Sequence, residues 1–340
     1  MYSFSVIIVS WNALDLLKRF LPGVAQTEYP DFEVLLADNA STDGSADWVR
    51  ENWPQVRIVT LDRNYGYCGG NNRGARKANG DLLVFLNNDV QVEPDWLSKL
   101  NECFQAHPDA AALQPKMRSC DNPAYFEYAG AAGGFLDRYG YPFCRGRLFD
   151  TLEEDLGQYD DASELLWASG AALAIRKEQF EELGGFDEDF EFHMEEIDLC
   201  WQLWNRGHKV RFCPDSIVYH LGGGSMPMHS PRKVYYNYRN NLVMLLKNYT
   251  NRSLWRRLPV RILLDFLAGF RLMVMGGWEE FKALCQAYLD FIRRIPGVLR
   301  KRKQLQMERT VHSEPRPLLP VSIVWYYFVR NRTTFSEIVD

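Results

Sequence analysis

Gly80-Asp81-Leu82-Leu83-Val84-Phe85-Leu86-Asn87-Asn88-Asp89-Val90 sets an unbroken apolar run, 82–86, directly against three polar residues. A run of that length suits a strand buried on both faces, and the abrupt change to Asn-Asn-Asp marks its carboxyl end. Open α/β sheets bind ligands just beyond the carboxyl ends of their strands. A carboxylate there also suits a hard divalent cation on a diphosphate, because such ions take oxygen ligands and bridge phosphate oxygens. A buried strand that ends in Asp can equally be making a turn. The flanking sequence has to decide.

Upstream, Phe4–Ser10 is β-branched and apolar and reads as a first strand, Leu14–Val24 as a helix and Phe32–Ala37 as a second strand. Turn residues 38–45 lead into a helix over Ala46–Asn52, followed by a strand over Val56–Leu61 and a helix over Gly69–Asn79 with a glycine-rich entrance. Strand and helix alternating at this rhythm predict a mostly parallel sheet flanked by helices, an α/β fold. The pattern loosens over 118–165, where loops and a small hairpin are expected. It returns with a strand over Ala171–Ile175, helices over Lys177–Leu183 and Ile197–Arg206, and a short strand over Val210–Phe212. From 232 onward the chain is basic, aromatic and helical. The division expected is a catalytic unit over 1–231, with halves of about 1–117 and 118–231, a helical extension over 232–303 and a tail over 304–340. The apolar run Val321–Val329 in that tail has no assigned role.

Charge divides the same way. Residues 1–231 hold 19 Lys and Arg against 36 Asp and Glu, a net −17, whereas 232–303 hold 16 against 4, a net +12. The second segment is expected to meet an anionic surface. Nucleic acid is a poor partner, since the acidic first segment repels a long polyanion. Seven scattered cysteines without a CxxC pair argue against a disulfide framework and for a reducing compartment. The chain opens straight into a strand, with no secretory leader, and 258–278 carries Arg261, Asp265 and Arg271, too many charges for a membrane span. The expected location is cytoplasmic, with peripheral attachment to the inner face of the membrane.

Four clusters carry chemistry. Ser10-Trp11-Asn12 and Asp38-Asn39 follow the first two strands. A carboxylate beside an amide can read the imide edge of a pyrimidine, and Asp38 can equally cap the turn that follows it. Asn64-Tyr65-Gly66-Tyr67-Cys68-Gly69-Gly70-Asn71-Asn72-Arg73-Gly74 brings glycines to a strand–helix junction, where backbone N–H groups can meet a diphosphate. Its spacing is neither the P-loop nor the dinucleotide fingerprint. Asn87-Asn88-Asp89 is the third. Glu195-Glu196-Ile197-Asp198 is the fourth, three carboxylates opening a helix, one of them suited to general-base work with its pKa raised by its neighbours. His220 stands before a glycine run, 222–224, and can be structural or a ligand.

In this order the clusters resemble glycosyltransferase family 2, inverting enzymes of the GT-A nucleotide-diphospho-sugar transferase fold, and the Asn-Asn-Asp form of the metal element resembles rhamnosyltransferase-like members. The resemblance spans about 3–240 and includes Ser169-Gly170-Ala171 and Gly184-Gly185-Phe186-Asp187. It implies that Asn12, Asp38, Asn39, Asn64, Gly66, Asn72, Asn88 and Asp89 bind the donor and that Trp167 and Gly170 line the acceptor side. It implies that Asp89 and His220 hold Mg²⁺ or Mn²⁺. Glu196 would be the base, with Glu195 and Asp198 in the same catalytic cluster; the Glu-Glu pair in place of Glu-Asp leaves Glu195 open as the base. The expected reaction moves a sugar, L-rhamnose as the first choice, from a nucleotide-diphosphate donor to a saccharide or lipid-linked saccharide acceptor in cell-surface polysaccharide synthesis.

Two other classes compete. A nucleotidyltransferase would want a basic loop near the first strand, where only Lys18-Arg19 lies close. A non-catalytic sugar-binding scaffold would not hydrolyse a nucleotide sugar. The basic, aromatic 232–303, ending in Arg300-Lys301-Arg302-Lys303, has the composition of helices at an anionic membrane surface, or of a packed appendage with a solvated basic face.

Overall fold

The apolar run 82–86 forms a strand at the middle of a mixed sheet, and the computed structural model that shows this describes residues 1–222 and 230–339. In chain order the strands are β1 Phe4–Ser10, β2 Phe32–Asp38, β3 Arg57–Thr60, β4 Leu82–Leu86, β5 Val90–Val92, β6 Ala110–Ser119 and β7 Gly134–Asp137. They continue with β8 Pro142–Cys144, β9 Arg147–Leu148, β10 Thr151–Leu152, β11 Glu164–Leu165, β12 Ala172–Arg176, β13 Lys209–His220 and β14 Leu318–Leu319. The helices are α1 Leu14–Ala25, α2 Ser45–Asn52, α3 Gly66–Ala75, α4 Trp96–Ala106, α5 Lys177–Glu182 and α6 Glu195–Asn205. Beyond them come α7 Pro231–Asn248, α8 Asn251–Val274, α9 Trp278–Met307, α10 Ile323–Phe328 and α11 Ser336–Val339.

The main sheet runs β11-β13-β6-β12-β4-β1-β2-β3, parallel from β4 to β3 and reversed at β12, which is antiparallel to both β4 and β6. Side chains alternate across it. Val6, Ile8, Leu36 and Val84 pack with α1 and α4 on one face, and Ile7, Leu35, Phe85 and Leu173 with Phe180, Phe186 and α6 on the other. Both faces are covered, so the central strands read as continuous apolar runs. In register, Ser10 lies opposite Asp38 and Ile8 opposite Leu86, so the polar residues after β1, β2 and β4 share one edge.

The loose region 118–165 contains a second sheet, β10-β9-β8-β7-β14, in place of a single hairpin. Its last strand comes from the tail, Leu318 pairing with Leu136. Phe335 closes on Phe135 and Phe143, with ring centroids 5.0 and 5.9 Å apart, and Tyr327 and Phe328 flank Phe149. The apolar run 321–329 therefore roofs the small sheet.

The glycine-rich helix starts at Gly66, three residues earlier than its sequence suggested, so Gly66 opens its first turn and the later glycines lie within it. A Cβ on Gly70 would stand 2.8 Å from Val9 Cγ1, and one on Gly74 2.7 Å from Ile7 Cγ2. These glycines let α3 lie close against β1.

The +12 segment meets an anionic surface within its own chain. Lys247 Nζ reaches Asp198 at 2.6 Å and Asp187 at 2.7 Å, and Lys301 reaches Asp187 and Asp189 at 2.6 Å each. Arg302, expected in a lipid-facing cluster, is buried and donates to the carbonyls of Leu246 and Tyr249 at 2.7 and 2.8 Å. Burial alone would raise Asp187, but Lys247 and Lys301 outweigh it and hold the carboxyl at about 2. Lys247→Met leaves Asp198 without a cation in the interior and Asp187 with Lys301 alone, and should cost about 3–5 kcal/mol. Urea unfolding reads this directly, and an unchanged midpoint would mean that the pair contributes nothing in solution.

Candidate active site

The β5–β13 ladder pairs Val90 with His220 and thereby brings Asp89 to an imidazole far along the chain. His220 Nε2 lies 3.1 Å from Asp89 Oδ1, and its Nδ1 lies 3.1 Å from Glu127 Oε1. All three side chains are buried. Burial would depress the imidazole, yet hydrogen bonds to Asp89 and Glu127 prevail and push it up to about 10. Glu127 was not singled out from the sequence; it lies in the loosened region, before any element with a readable period. The glycine run beyond Gly222, at 223 and 224, lies outside the described residues.

Beside this triad stand Glu195 and Glu196, the first two residues of α6. The turn before them is left-handed at three non-glycine residues, Glu191 (φ 66°), His193 (φ 66°) and Met194 (φ 74°). Side chains seldom adopt that region without support. Support comes from α7. Asn240 Nδ2 donates to the carbonyls of Phe190, Phe192 and His193 at 2.8, 2.6 and 2.9 Å, and Arg239 reaches Phe190 O at 2.9 Å and Glu191 Oε1 at 3.1 Å.

The two glutamates differ. Glu195 is buried, and burial together with the charge of Glu196 pushes its pKa well up. Glu196 is only partly covered; burial raises it to about 7 against backbone N–H groups at the helix start that pull it down. One oxygen of each is buried without a hydrogen-bond partner. Asn87 N–H donates to Ala171 O at 3.0 Å, which carries Gly170 to the same place. A Cβ on Gly170 would sit 2.9 Å from the Tyr67 hydroxyl and 3.8 Å from Glu196 Cβ, and that hydroxyl donates to Gly170 O at 2.6 Å. Asp198 is placed otherwise. It is saturated by Lys247, by Asn248 Nδ2 at 2.6 Å and by Gln202 Nε2 at 2.8 Å, which makes it an anchor for α7.

At the ends of β1 and β2, Asp38 is buried and accepts the Ser41 N–H at 3.1 Å. Asn12 (φ 49°) accepts the Thr42 N–H at 2.7 Å and so fixes one loop against the other, while Trp11 beside it is 55% exposed. Asn39 ties β2 to α3, donating to Gly66 O at 3.0 Å and accepting from Tyr65 N at 3.2 Å. Asn64 accepts the Gly66 N–H at 2.8 Å, and Asn88 donates to Ser10 Oγ at 3.3 Å. Asn72 is spent on a distant turn, with Phe186 N–H and O at 2.9 Å each. Trp167 is buried over Gly134 and donates to Phe135 O at 3.0 Å.

Asp38 is in register with Ser10, which accepts from Asn88 Nδ2, so the carboxyl ends of β1, β2 and β4 meet at one sheet edge, with Asp89 and His220 following β4. The model of glycosyl transferase family 2 matches residues 5–184, more than half of the chain, and the protein belongs to that family. It is 34% identical over 210 residues to the O-antigen biosynthesis protein RfbC of Myxococcus xanthus, covering 61% of this chain but 16% of that protein. It is 26% identical over 270 residues to the N-acetylglucosaminyl-diphospho-decaprenol L-rhamnosyltransferase of Mycobacterium tuberculosis, covering 75% of this chain and 87% of the relative. The mannosyltransferase PcManGT of Pyrobaculum calidifontis, solved with GDP-Man and Mn²⁺, superposes with a TM-score of 0.54 at 16% identity, over 86% of this chain and 87% of that one. The fold is GT-A.

Glu196→Gln should lower turnover by about 10²–10⁴-fold, the range for a lost general base, with donor binding retained. In the unaltered protein, turnover should rise as pH passes upward through about 7, where Glu196 loses its proton. A flat profile across that range, or an equal loss in donor affinity, would remove Glu196 from this role.

Proposed function

We propose that the chain is an inverting transferase that moves a sugar, L-rhamnose as the first choice, from a nucleotide diphosphate to a lipid-linked saccharide in cell-surface polysaccharide synthesis. The observation that carries the reading is the pairing of buried Asp89 and His220 at the strand edge, across from a glutamate raised to about 7. The M. tuberculosis relative, named for rhamnosyl transfer to a diphospho-decaprenol, supports the choice of sugar and acceptor.

A divalent cation fits the pair. A carboxylate oxygen and an imidazole nitrogen converge to 3.1 Å, a donor set that suits Mn²⁺, or Mg²⁺ through the carboxylate, once the ion displaces the proton that Asp89 and Glu127 hold on the imidazole. Among the described residues no cluster of three or more acidic, His or Cys side chains forms a cage, so diphosphate and water oxygens would complete the shell. Bound there, the ion would neutralise the leaving diphosphate. The chain's own residues supply the rest. Asp38, with Asn12 holding the neighbouring loop, is set to read the base. Glu196 takes the proton from the acceptor hydroxyl as that oxygen attacks the anomeric carbon from the face opposite the leaving group, and the configuration inverts. Positioning and fixed charges carry the rate, and no bond to the enzyme is formed.

Asp89→Ala should abolish transfer, and in titrations it should weaken Mn²⁺-dependent binding of a nucleotide sugar from a panel that includes dTDP-rhamnose. Full activity in excess chelator would defeat the metal assignment.

The acceptor reading requires a membrane surface, and α8 offers one. Leu263, Phe266, Leu267, Phe270 and Val274 recur on one helix face, and each is more than half exposed. Arg252, Arg256 and Arg271 are exposed along it. Among the described residues no helix is long and apolar enough to cross a membrane. An apolar stripe edged by guanidinium groups fits an anionic bilayer, rings to the acyl boundary and cations to headgroups. The earlier basic cluster contributes only Arg300 and Lys303, because Lys301 and Arg302 are engaged within the protein. The protein should pellet with anionic vesicles at low salt, and Phe266→Asp/Phe270→Asp should stay in the supernatant. Indifference to vesicles together with a dimer that the double variant dissolves would make the stripe a self-association face instead.

A further inference from the structure

Eight Arg and Lys side chains are buried in the described residues, and seven of them are neutralised or saturated. Lys116 meets Asp155, Arg145 meets Asp161, Arg239 meets Glu191, Lys247 meets Asp198 and Arg261 meets Asp265. Arg302 and Arg309 are surrounded by backbone carbonyls. Arg147 is the eighth. It is 8% exposed, its Nε is buried without a hydrogen-bond partner, and its guanidinium has only a long contact of 3.3 Å to Phe149 O, the Cys144 sulfur, and the charge of Glu127, a carboxylate already engaged by His220.

A second cation stands beside it. The Arg147 guanidinium lies 4.2 Å from the centroid of the Tyr128 ring, and Lys233 Nζ lies 5.4 Å from the same centroid. Among the described residues neither has a carboxylate within salt-bridge distance. Burial first, and then the Arg147 charge, push the Lys233 ammonium down, against the nearby Glu127 carboxylate, which holds it up only in part. His193, whose Nε2 is also buried and unpartnered, is kept neutral by burial and by Lys233, with its pKa lowered to about 4.

The place of this cluster matters. Tyr128 follows Glu127, which holds His220. The Cys144 thiol, buried, feels Arg147, Glu127 and Glu196 together, so the cations stand near the base as well as near the Asp89–His220 pair. Arg147 belongs to the small sheet and Lys233 to α7. In sheet order Asp38 lies on one side of β4 and β13 on the other, and the segment that leads into the small sheet joins β6 through the Arg118–Phe126 bridge. Two cations crowded in a poorly hydrated place are an unfavourable arrangement until an anion joins them, and a guanidinium fork with an ammonium matches phosphate oxygens.

We propose that Arg147 and Lys233, held over Tyr128, seat a diphosphate carried by the acceptor, separate from the donor diphosphate at Asp89 and His220. The inference rests on the transferase reading and adds to it a charge-based means of choosing lipid-linked acceptors. A neutral saccharide would leave the two cations unpaired, and that is the basis of discrimination.

Calorimetric titration of the full chain with two probes tests it: UDP or dTDP with Mn²⁺, and farnesyl diphosphate added to the protein already saturated with that nucleotide, with farnesol as the uncharged control. Arg147→Met and Lys233→Met should each weaken farnesyl diphosphate about tenfold or more and leave the nucleotide unchanged, the size expected for a lost charge-assisted hydrogen bond. Lys233, being only partly covered, gives a variant that keeps the test decisive if Arg147→Met fails to fold. Loss of nucleotide affinity in these variants would assign the cluster to the donor and overturn the proposal. Farnesyl diphosphate binding no tighter than farnesol, with nucleotide binding intact, would overturn it while leaving the transferase reading in place. Failure to bind any nucleotide would remove both.

Discussion

The hold of Arg239 and Asn240 on the turn 190–193 is the constraint on which the site depends. Three left-handed non-glycine residues within four positions store strain, about 1–3 kcal/mol each. The turn cannot keep that shape by itself. One amide nitrogen shared among three carbonyls, with a buried guanidinium beside it, makes the strained form the stable one. The result is a helix that begins abruptly at Glu195, with its first carboxylates aimed at Gly170 and Tyr67. The geometry of the base is thus set from outside the family-matched residues 5–184, by a helix of the extension.

Electrostatics joins the same two parts. An acidic catalytic surface and a basic extension would each repel themselves in isolation; apposed, they form a chain of alternating charge through Asp198, Lys247, Asp187, Lys301 and Asp189. Buried pairs of this kind stabilise little relative to apolar packing, but they penalise any other docking angle, since a shift leaves charges unpaired. That penalty, more than net attraction, fixes α7 and so the turn it supports.

Much of this was legible in the sequence, and the rest fails for identifiable reasons. The run 82–86 and the β-branched 4–10 announced central strands because both faces of the sheet are covered. Asp89 could be singled out because it follows a strand, and His220 because it precedes a glycine run. Their meeting depends on the Val90–His220 register, which no local pattern encodes. Glu127 and Arg147 lie where the period is lost among short strands, and their roles come from long-range placement. The close packing of Gly70 and Gly74 on β1 was not legible, because the same residue permits a close anion and a close strand. Asp198 shared a motif with two catalytic-type carboxylates, yet one helical turn swings it onto α7.

The small sheet takes its fifth strand from Leu318–Leu319, and the Phe335 ring seals its core. During synthesis the ribosome delivers β7 and β8 long before these closing pieces exist. Until residue 335 has emerged, the nascent small sheet carries an open edge at β7 and uncovered aromatic rings, features that invite mispairing or chaperone capture. Strands β1 to β4 pair among themselves and can condense early, whereas β5 and β6 await β12 and β13. Shuffling among relatives should therefore treat 134–152 and 318–335 as one exchangeable module, although more than 160 residues of sequence separate them. A crossover anywhere between would marry a foreign lid to a resident sheet.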